Sequence, residues 1–487
     1  MAQPQAAVGI HAAAAALLAL NAAVLSIINA RVPDSYMDEP FHVGQTQKYC
    51  RGLFSEWDPK ITTFPGLYVL GTAAGWLHYG AKQALGQQVL MEAACSTPTL
   101  RAVNTLLAVA CLYTLHAVIA ALRQPSQARG STRSQHKQGQ QGSSTSSVLW
   151  ALALSVLPLH WSYSYLYYTD VGSTLLMLLC YLACLRHRPL AAAAAAAGAV
   201  LFRQTNAVWV VFVMGATVLR MVQRARSEAA KSGRQAAGEQ DSLWSELRAT
   251  VVYKWRIRGQ LAWAVGPMAL VPAAFIAFLV VNGGVTVGDR EAHKPVKHWA
   301  QLVYFAPYAA AMLAAQLAPC VWGAVRVAAR RPLLALVALA ALCAAAVAAQ
   351  RASPPAHPYL LADNRHYTFY IWRKLIDRPG RWRQAVVAPA SAAAWAVLLS
   401  GLRSTQQRLW VLGWAVCTVA VLVPAWLLEF RYYTLPLVMA ALHLPHPTKG
   451  QSATTLFLFA AMNAATLYMF VMRPFSWADG SVARFMW

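Results

Sequence analysis

Long apolar segments recur along the whole chain, and this pattern restricts its fold more than any other feature of the sequence. Apolar residues make up 58% of the 487 residues, whereas Asp, Glu, Lys and Arg together make up only 12%. A soluble domain carries about 25% of these charged residues. A backbone inside a membrane must satisfy its polar groups in helices or a closed barrel, and no series of short alternating strands is visible. The sequence therefore predicts an all-α polytopic membrane protein.

The chain is strongly basic, with 41 Lys and Arg against 17 Asp and Glu and a formal net charge of +24. The basic residues stand between apolar segments and form no continuous face, which argues against nucleic-acid binding. Short loops rich in Lys and Arg are typical of the cytoplasmic side of membrane proteins. We therefore predict that residues 123–147 and 220–258 form cytoplasmic loops that are disordered or loosely ordered.

Fixing these two loops in the cytosol orients the remaining segments. The chain is then a single transmembrane domain over residues 1–487, with about 13 transmembrane helices and a tolerable range of roughly 11–14. Residues 31–99 form a long first lumenal loop, and the apolar stretch 64–79 inside it contains proline and glycines, which favours interfacial or re-entrant helices. Cys50 and Cys95 both lie in this loop and can pair in an oxidising lumen.

The acidic residues are few enough to be considered one by one. Four of the 17 lie in the second cytoplasmic loop, and the orientation above places most of the others at lumenal ends or in lumenal loops. Because that orientation was built from Lys and Arg alone, the clustering independently supports one lumenal polar site. Adjacent Asp38 and Glu39 allow one carboxylate to act as a base while the other orients a donor or shifts a pKa. The alternative is an acidic N-cap of a helix.

Cationic and aromatic segments provide the other candidate site residues. An arginine beside an apolar segment, such as Arg203, is expensive unless it is paired, and the alternative is an arginine that extends to the membrane interface. Arginine suits forked phosphate contacts and lysine adds point charge. Aromatic residues in the first loop suit contact with a sugar or lipid, with a turn and interfacial anchor as the alternative. Glu429 and Arg431 can instead form only a local ion pair. The candidates for binding a donor's phosphate and sugar are Arg203, His293, Lys294, Arg365, His366 and Arg431. The candidates for supporting or acceptor-binding roles are His42, Trp57, Asp58, Tyr68, Asp170, Asn206, Asp289, Arg290, Asp363, Asn364, Tyr367 and Glu429.

Carboxylates, cations and aromatic rings on one side of a membrane are what transfer of a sugar from a lipid phosphate requires. The carboxylate takes a proton from the acceptor hydroxyl, the cations neutralise the leaving phosphate, and the rings pack the sugar. No HExxH or other metal-ligand spacing is present, so we predict no metal and no cofactor.

Several longer motifs resemble a known family. They are YMDEPFHVGQTQKYC (36–50), WDPKITTFPGLY (57–68), RQTN (203–206), GDREAHKP (288–295), HPYLLADNRHYTFYIWR (357–373), EFRYY (429–433) and RFMW (484–487). With these motifs the chain resembles the dolichyl-phosphate-glucose-dependent alpha-1,2-glucosyltransferases, which add the terminal, third glucose to the lipid-linked oligosaccharide for N-glycosylation. The resemblance covers the chain outside the two cytoplasmic loops.

This resemblance implies a catalytic domain with a GT-C-type fold in the endoplasmic reticulum membrane and an active site that faces the lumen. It implies dolichyl-phosphate-glucose as the donor and the diglucosylated, dolichyl-diphosphate-linked oligosaccharide as the acceptor. It also implies inversion at the sugar, with one carboxylate as base and no covalent enzyme intermediate. GT-C enzymes place this carboxylate in the first lumenal loop, which points to Asp38, with Glu39 as the alternative.

Two other function classes remain open at this point. One is a different GT-C enzyme, such as a mannosyltransferase or an earlier glucosyltransferase, which the first-loop motif and the DNRHYTFYIW stretch argue against. The other is a transporter or a channel-regulating subunit. A transporter should show broken helices near the middle of the membrane and internal repeats, and neither is visible in the sequence.

The predicted orientation can be tested with glycosylation acceptor sequences inserted into loops. A tag at about residue 290 should be modified because that loop faces the lumen, whereas a tag at about residue 135 should stay unmodified. A mobility shift on gels, reversed by glycosidase, measures the outcome. The reverse pattern would overturn the orientation.

Overall fold

The computed structural model describes residues 3–123, 136–231, 242–291, 293–378 and 381–487. These residues form 21 α-helices and one small sheet. The helices of the first half are α1 (Gln3–Arg31), α2 (Glu39–Cys50), α3 (Gly66–Ala84), α4 (Met91–Ala94), α5 (Thr97–Arg123), α6 (His136–Ser155), α7 (Pro158–Ser162), α8 (Thr169–Leu185), α9 (Pro189–Phe202), α10 (Asn206–Lys231) and α11 (Leu243–Arg256).

The second half is also helical apart from a short hairpin in the tail. Its helices are α12 (Arg258–Asn282), α13 (Ala300–Met312), α14 (Ala314–Arg330), α15 (Pro332–Arg351), α16 (Pro358–Ala362), α17 (Tyr367–Ile371), α18 (Ala388–Thr405), α19 (Arg408–Leu422), α20 (Thr434–His443) and α21 (Lys449–Met472). Short 3-10 turns occupy Tyr163–Tyr165 and Phe430–Tyr433, and π-turns occupy Trp372–Ile376 and Arg383–Val387. Strands β1 (Phe475–Ser476) and β2 (Val482–Ala483) pair antiparallel.

The described helices confirm the all-α polytopic prediction. Seven of them are long and apolar enough to cross a membrane, or up to nine segments if each of two bent pairs counts as one span. The bends measure 118° between the Pro158–Tyr165 segment and α8, and 106° between α13 and α14. The expected number of about 13 spans stays a prediction. It counts shorter apolar helices such as α9, α19 and α20 as spans.

Helices extend into the described parts of both basic segments, and the prediction that these segments are loosely ordered cytoplasmic loops stays a prediction. Residues 124–135 lie outside the described chain, but 136–147 belong to α6, and α10 continues to Lys231. Extension of an existing helix adds one hydrogen bond per residue, so it needs no new nucleus. In the second loop α11 begins with a capping box at Ser242, and Tyr253 packs with Val222 of α10 in a small apolar cluster.

The segment after α1 folds into α2, α3 and α4 and is closed by a disulfide. Cys50, at the end of α2, is bonded to Cys95, just after α4, which confirms the pairing that the sequence allows. Gly75 of α3 faces this bond, and a Cβ at that position would lie 2.1 Å from the Cys95 Sγ. Only glycine therefore lets α3 approach the disulfide, and the whole segment packs as one unit.

A completely buried ion pair joins this segment to the helix bundle. The Arg101 side chain on α5 and the Glu39 side chain on α2 are both 0% exposed. All five N–H groups of Arg101 donate, two of them to the Glu39 carboxylate at 2.9 and 2.6 Å. The other three reach Asn29 Oδ1 and the backbone carbonyls of Val32 and Asp34. The end of α1, the start of α2 and the start of α5 are thereby held together.

Replacing Arg101 should destabilise the protein strongly. Arg101→Leu leaves the Glu39 carboxylate buried without its counter-ion, which is expected to cost about 3–5 kcal/mol. Thermal unfolding in detergent measures the loss. The matched control is Arg51→Leu. Arg51 forms an ion pair with Glu92 at 3.7 Å, but both side chains are exposed. An exposed pair contributes about 0–1 kcal/mol to stability.

The double variant Arg101→Leu/Glu39→Leu separates the two contributions. It removes both charges together, so it should recover part of the stability that Arg101→Leu loses. Equal melting temperatures for Arg101→Leu and Arg51→Leu would contradict a structural role for this pair.

Candidate functional site

A cavity of about 790 Å³ opens at the end of the bundle where the segment between α1 and α5 meets loops from the rest of the chain. Six stretches of chain converge on it. Its lining includes residues at 37–42, 59–63, 163–169 and 289–293, the single residue Arg203 between α9 and α10, and residues within 359–368 and 427–432. These stretches contain most of the motifs singled out in the sequence, so the fold brings distant motifs to one place.

Asp38 faces this cavity from the N-terminus of α2. Its carboxylate is 46% exposed and lies 3.7 Å from an Nη of Arg431. Asp38 occupies the N-cap position, but its side chain makes no capping hydrogen bond, and its backbone N–H donates to the Tyr168 hydroxyl at 2.9 Å. No described residue donates a hydrogen bond to the carboxylate, so its oxygens remain available to a substrate.

Glu39 points the other way and does not line the cavity. Besides Arg101, its carboxylate accepts hydrogen bonds from the backbone N–H groups of Tyr36 and Tyr167, at 2.9 and 2.7 Å. Pro40 follows it in the first turn, where a missing N–H breaks no helix bond. The adjacent carboxylates therefore separate into one that faces the cavity and one that holds the fold.

His42 lines the cavity behind Asp38 and is buried. Its Nδ1 lies 2.9 Å from the Tyr68 hydroxyl, and its ring packs edge-on against Tyr168. Burial lowers the pKa of His42, and the nearby Asp38 carboxylate only partly opposes this. Its imidazole is therefore neutral at neutral pH, and Tyr68 acts as its hydrogen-bond partner without reaching the cavity itself.

Arg431 stands opposite Asp38 and is oriented by Glu429. Its guanidinium forms a forked contact with the Glu429 carboxylate, one arm of which is 3.0 Å long. Burial alone would raise the pKa of Glu429, but the charge of Arg431 outweighs it and the pKa is lowered. This pair is local, as the alternative interpretation held, yet both side chains also line the cavity.

Arg203 enters the cavity from the connection between α9 and α10. It pairs with Asp170 in the first turn of α8 at 2.5 Å, and its guanidinium lies 5.6 Å from the centre of the Tyr432 ring. Arg431 lies 5.8 Å from the same ring. Two arginines thus share one aromatic neighbour, which holds their positive charges close together on one side of the cavity.

Arg365 is held by a forked contact with Asp363, at 2.9 and 2.8 Å. Burial would raise the pKa of Asp363, but the Arg365 hydrogen bonds and the adjacent His366 lower it. The Arg365 guanidinium also lies 4.7 Å from the centre of the Trp477 ring. Asp363, Arg365 and His366 all line the cavity.

The C-terminal tail fixes this segment in place. The backbone of Met486 exchanges hydrogen bonds with Arg365 and Tyr367, each 2.9 Å long. The carbonyl oxygen of Trp487 lies 2.8 Å from His366 Nδ1, and the Tyr367 ring packs edge-on against Trp487. The tail acts as a strap that orients His366 and Arg365 toward the cavity.

The loop between α12 and α13 carries four candidate site residues, of which two line the cavity and two do not. Asp289 and His293 line the cavity, and His293 Nδ1 lies 3.1 Å from the Asp289 carbonyl oxygen. Arg290 instead bonds the Asn282 side chain at 2.7 Å, and Lys294 pairs with Glu291. Arg290 and Lys294 are not among the residues that line the cavity.

Other candidates lie behind the wall of the cavity. Asn206 is buried and donates to the Ser173 hydroxyl and the Ala199 carbonyl, and Asn364 accepts from the Trp477 indole. Asp58 takes a hydrogen bond from the backbone of Lys60, and Trp57 packs edge-on against Tyr68. These side chains support the loops that carry Lys60, Arg203 and Arg365, and none of them reaches the cavity.

Residues that the sequence-based candidates omitted also line the cavity. Lys60 belongs to the WDPKITTFPGLY motif and Tyr432 to the EFRYY motif, so both motifs pointed to the right stretch of chain. Tyr168 follows a predicted span and carried no charge to mark it. Arg101 does not line the cavity, but it holds Glu39 in place, and its position at the start of an apolar segment could have marked it in the sequence.

The chemistry of the cavity follows from these contacts. Each of the three arginines that line it is bound to a carboxylate, so the guanidiniums are fixed in position while their remaining N–H groups can reach an anion. Among the described residues no group of three His, Cys, Asp or Glu side chains could hold a metal ion. The absence of a metal requirement stays a prediction.

Fold and site together define a polytopic helical membrane protein with a charged cavity at one end of its bundle. Residues 32–442 match the DIE2/ALG10 family, and the chain belongs to that family.

Named relatives cover almost the full length of the chain. A protein of Arabidopsis thaliana is 33% identical over 98% of this chain and 99% of its own length. Proteins of Rattus norvegicus and Homo sapiens are 32% and 31% identical, each over 95% of both chains. All three are named Dol-P-Glc:Glc(2)Man(9)GlcNAc(2)-PP-Dol alpha-1,2-glucosyltransferase. No solved structure matches the chain.

Proposed function

We propose that this protein transfers glucose from dolichyl-phosphate-glucose to the Glc(2)Man(9)GlcNAc(2) oligosaccharide on dolichyl diphosphate. The product carries a terminal alpha-1,2-linked glucose. Family membership and full-length relatives with this name support the reaction. The observation that carries the mechanism is the Asp38 carboxylate, which faces the cavity beside three fixed arginines and accepts no hydrogen bond from the described residues.

Asp38 is the base in this proposal because the other carboxylates in the cavity are less suited. Asp363 and Glu429 each hold an arginine through both oxygens. Asp289 lies in the loop after α12, with its carboxylate 3.9 Å from His293. A base needs free lone pairs and room for the hydroxyl that it deprotonates, and Asp38 has both.

The reaction is a single displacement with inversion. The acceptor hydroxyl oxygen attacks the anomeric carbon, and its proton passes to the Asp38 carboxylate. The bond from the anomeric carbon to the phosphate oxygen breaks, and dolichyl phosphate leaves with the electron pair. Arg203, Arg365 and Arg431 stabilise the negative charge that develops on the phosphate, with His293 and His366 as further donors.

The proposed location is the endoplasmic reticulum membrane, with the cavity open to the lumen. The disulfide supports this side, because Cys50–Cys95 lies in the same segment as Asp38 and disulfides persist in oxidising compartments. The excess of Lys and Arg in the loops at the other end of the bundle supports the same orientation.

Removing the base should abolish most transfer without unfolding the protein. For Asp38→Asn we expect a fall in kcat of about 10²–10⁴-fold, the usual contribution of a general base. Transfer from dolichyl-phosphate-glucose to the diglucosylated acceptor measures it. Glu56→Gln is the matched control, because Glu56 lies in the same segment but is half-exposed and outside the cavity.

Glu39→Gln tests the alternative base. It should lower stability, because it weakens the buried contact with Arg101, and the folded fraction should keep its activity. Near-normal transfer by Asp38→Asn, or a stable but inactive Glu39→Gln, would remove Asp38 as the base.

The arginines should act on donor binding. Arg203→Ala and Arg365→Ala each remove a charge-assisted contact to the phosphate, which is expected to weaken use of the donor by about 10-fold or more. The measurement is kcat/KM with varied dolichyl-phosphate-glucose, and Arg51→Ala is a control at an exposed arginine. An unchanged dependence on donor concentration would show that these arginines are structural.

A further inference from the structure

A second cavity, of about 380 Å³, lies at the opposite end of the bundle. Arg220, which lines it, follows Asn206 by 14 residues in α10, so it stands about 21 Å further along the helix axis from the first cavity. Arg123, at the last residue of α5, also lines it. In the predicted orientation this is the cytoplasmic end, so the second cavity shares no residue and no side of the membrane with the site described above.

The described residues that line this cavity carry more positive than negative charge. Its lining contains Arg123 and Arg220 but, among the described residues, no aspartate or glutamate. Glu246 of α11 lies outside it and caps α19, where its two oxygens accept the backbone N–H groups of Arg408 and Leu409. The first cavity differs, because each of its arginines faces a carboxylate.

The two histidines in the lining add no positive charge. His443 donates from Nδ1 to the Met439 carbonyl and accepts the Tyr181 hydroxyl at Nε2, both at 2.8 Å. His446 donates from Nδ1 to the Pro447 carbonyl and accepts at Nε2 from Arg123. Burial and the adjacent Arg123 lower the pKa of His446 to about 4. Both rings are therefore neutral and fully engaged, and the charge belongs to the two arginines.

Arg220 is the group that lacks a partner. It is half-buried in α10, and no described residue accepts a hydrogen bond from it or pairs with it. Arg220 stands where the predicted span meets the basic segment 220–258, and it lines the cavity without a counter-charge from the described residues. Its forked donors match a phosphate group.

The remaining walls indicate how the anion arrives. Ile119, Leu122 and Leu219 give the cavity an apolar side, while Gln223 and Gln406 add amide donors. A ligand with a charged head and an apolar body suits such a lining. Basic pockets between transmembrane helices on the cytoplasmic side bind phosphate head groups of lipids.

We propose that the cavity between α5, α10, α19 and α20 binds the phosphate head group of an anionic membrane lipid through Arg220 and Arg123. The lipid supplies the missing negative charge, its phosphate oxygens accept the free N–H groups of Arg220, and its chain runs along the apolar wall. This site is independent of the proposed transferase reaction.

Binding of dioctanoyl phosphatidic acid to the purified full-length protein in neutral detergent tests the proposal, for example by native mass spectrometry. Arg220→Gln should weaken binding by about 10-fold or more. Gln223→Glu should weaken it as well, because it places an acid in the cavity at an exposed position where folding is not disturbed. Arg330→Gln is the matched control, because Arg330 is an exposed arginine at the end of α14 and outside the cavity.

Two further arms identify the source of the phosphate and keep the test independent of folding. Inorganic phosphate should compete weakly; if it competes as well as the lipid, a soluble phosphate is the ligand and the lipid assignment is overturned. Dioctanoyl phosphatidylcholine should bind much less than phosphatidic acid. Equal lipid binding by the wild type, Gln223→Glu and Arg330→Gln would overturn the site even if Arg220→Gln failed to fold.

Discussion

The buried contact between Arg101 and Glu39 is the interaction on which the candidate site depends. A fully buried arginine is tolerable only when its charge and all its donors are satisfied. Arg101 meets this with the Glu39 carboxylate, one oxygen from the last turns of α1 and two backbone oxygens just after α1. The consequence reaches one residue further, to Asp38. Because Glu39 is fixed inside the bundle, the preceding residue is held at the surface of the cavity, at the N-terminus of α2.

Ion pairs between an acid and an arginine also occur around the cavity, where they are more exposed than the pair of Arg101 and Glu39. Asp170 holds Arg203, Asp363 holds Arg365 and Glu429 holds Arg431. Each acid lowers the desolvation penalty of its arginine and fixes the direction of its guanidinium, so the cavity is close to neutral without a ligand and still presents ordered cationic donors. Asp38 and Asp289 are the lining carboxylates outside these three pairs, and the proposed reaction assigns the proton transfer to Asp38, which lies beside Arg431 at the N-terminus of α2.

The two ends of the bundle are electrostatically different. At the first cavity every lining arginine is matched by an acid. At the second, Arg220 is matched by nothing in the described chain, as expected where a membrane component stays bound. The membrane orientation predicted from Lys and Arg places the unmatched charge at the cytosolic face, where the surface of the bilayer is negative.

The sequence by itself determined the fold class, because apolar segments of this length and number have no other stable arrangement in water or membrane. It also pointed to stretches that line the cavity, since acids, arginines and histidines are rare here and stand in a few motifs. It did not determine which neighbour in a motif faces the site. Asp38 and Glu39 are one residue apart and chemically alike, and the sequence left both open as the base; Arg290 and His293 share a loop, yet one lies outside the cavity. Only the tertiary structure decided these cases, because a side chain's direction depends on partners far away in the chain, such as Arg101 for Glu39. Composition alone also did not predict that helices α6 and α11 reach into the basic segments. A helix that already exists can extend into a polar stretch, and α11 is stabilised by packing against α10.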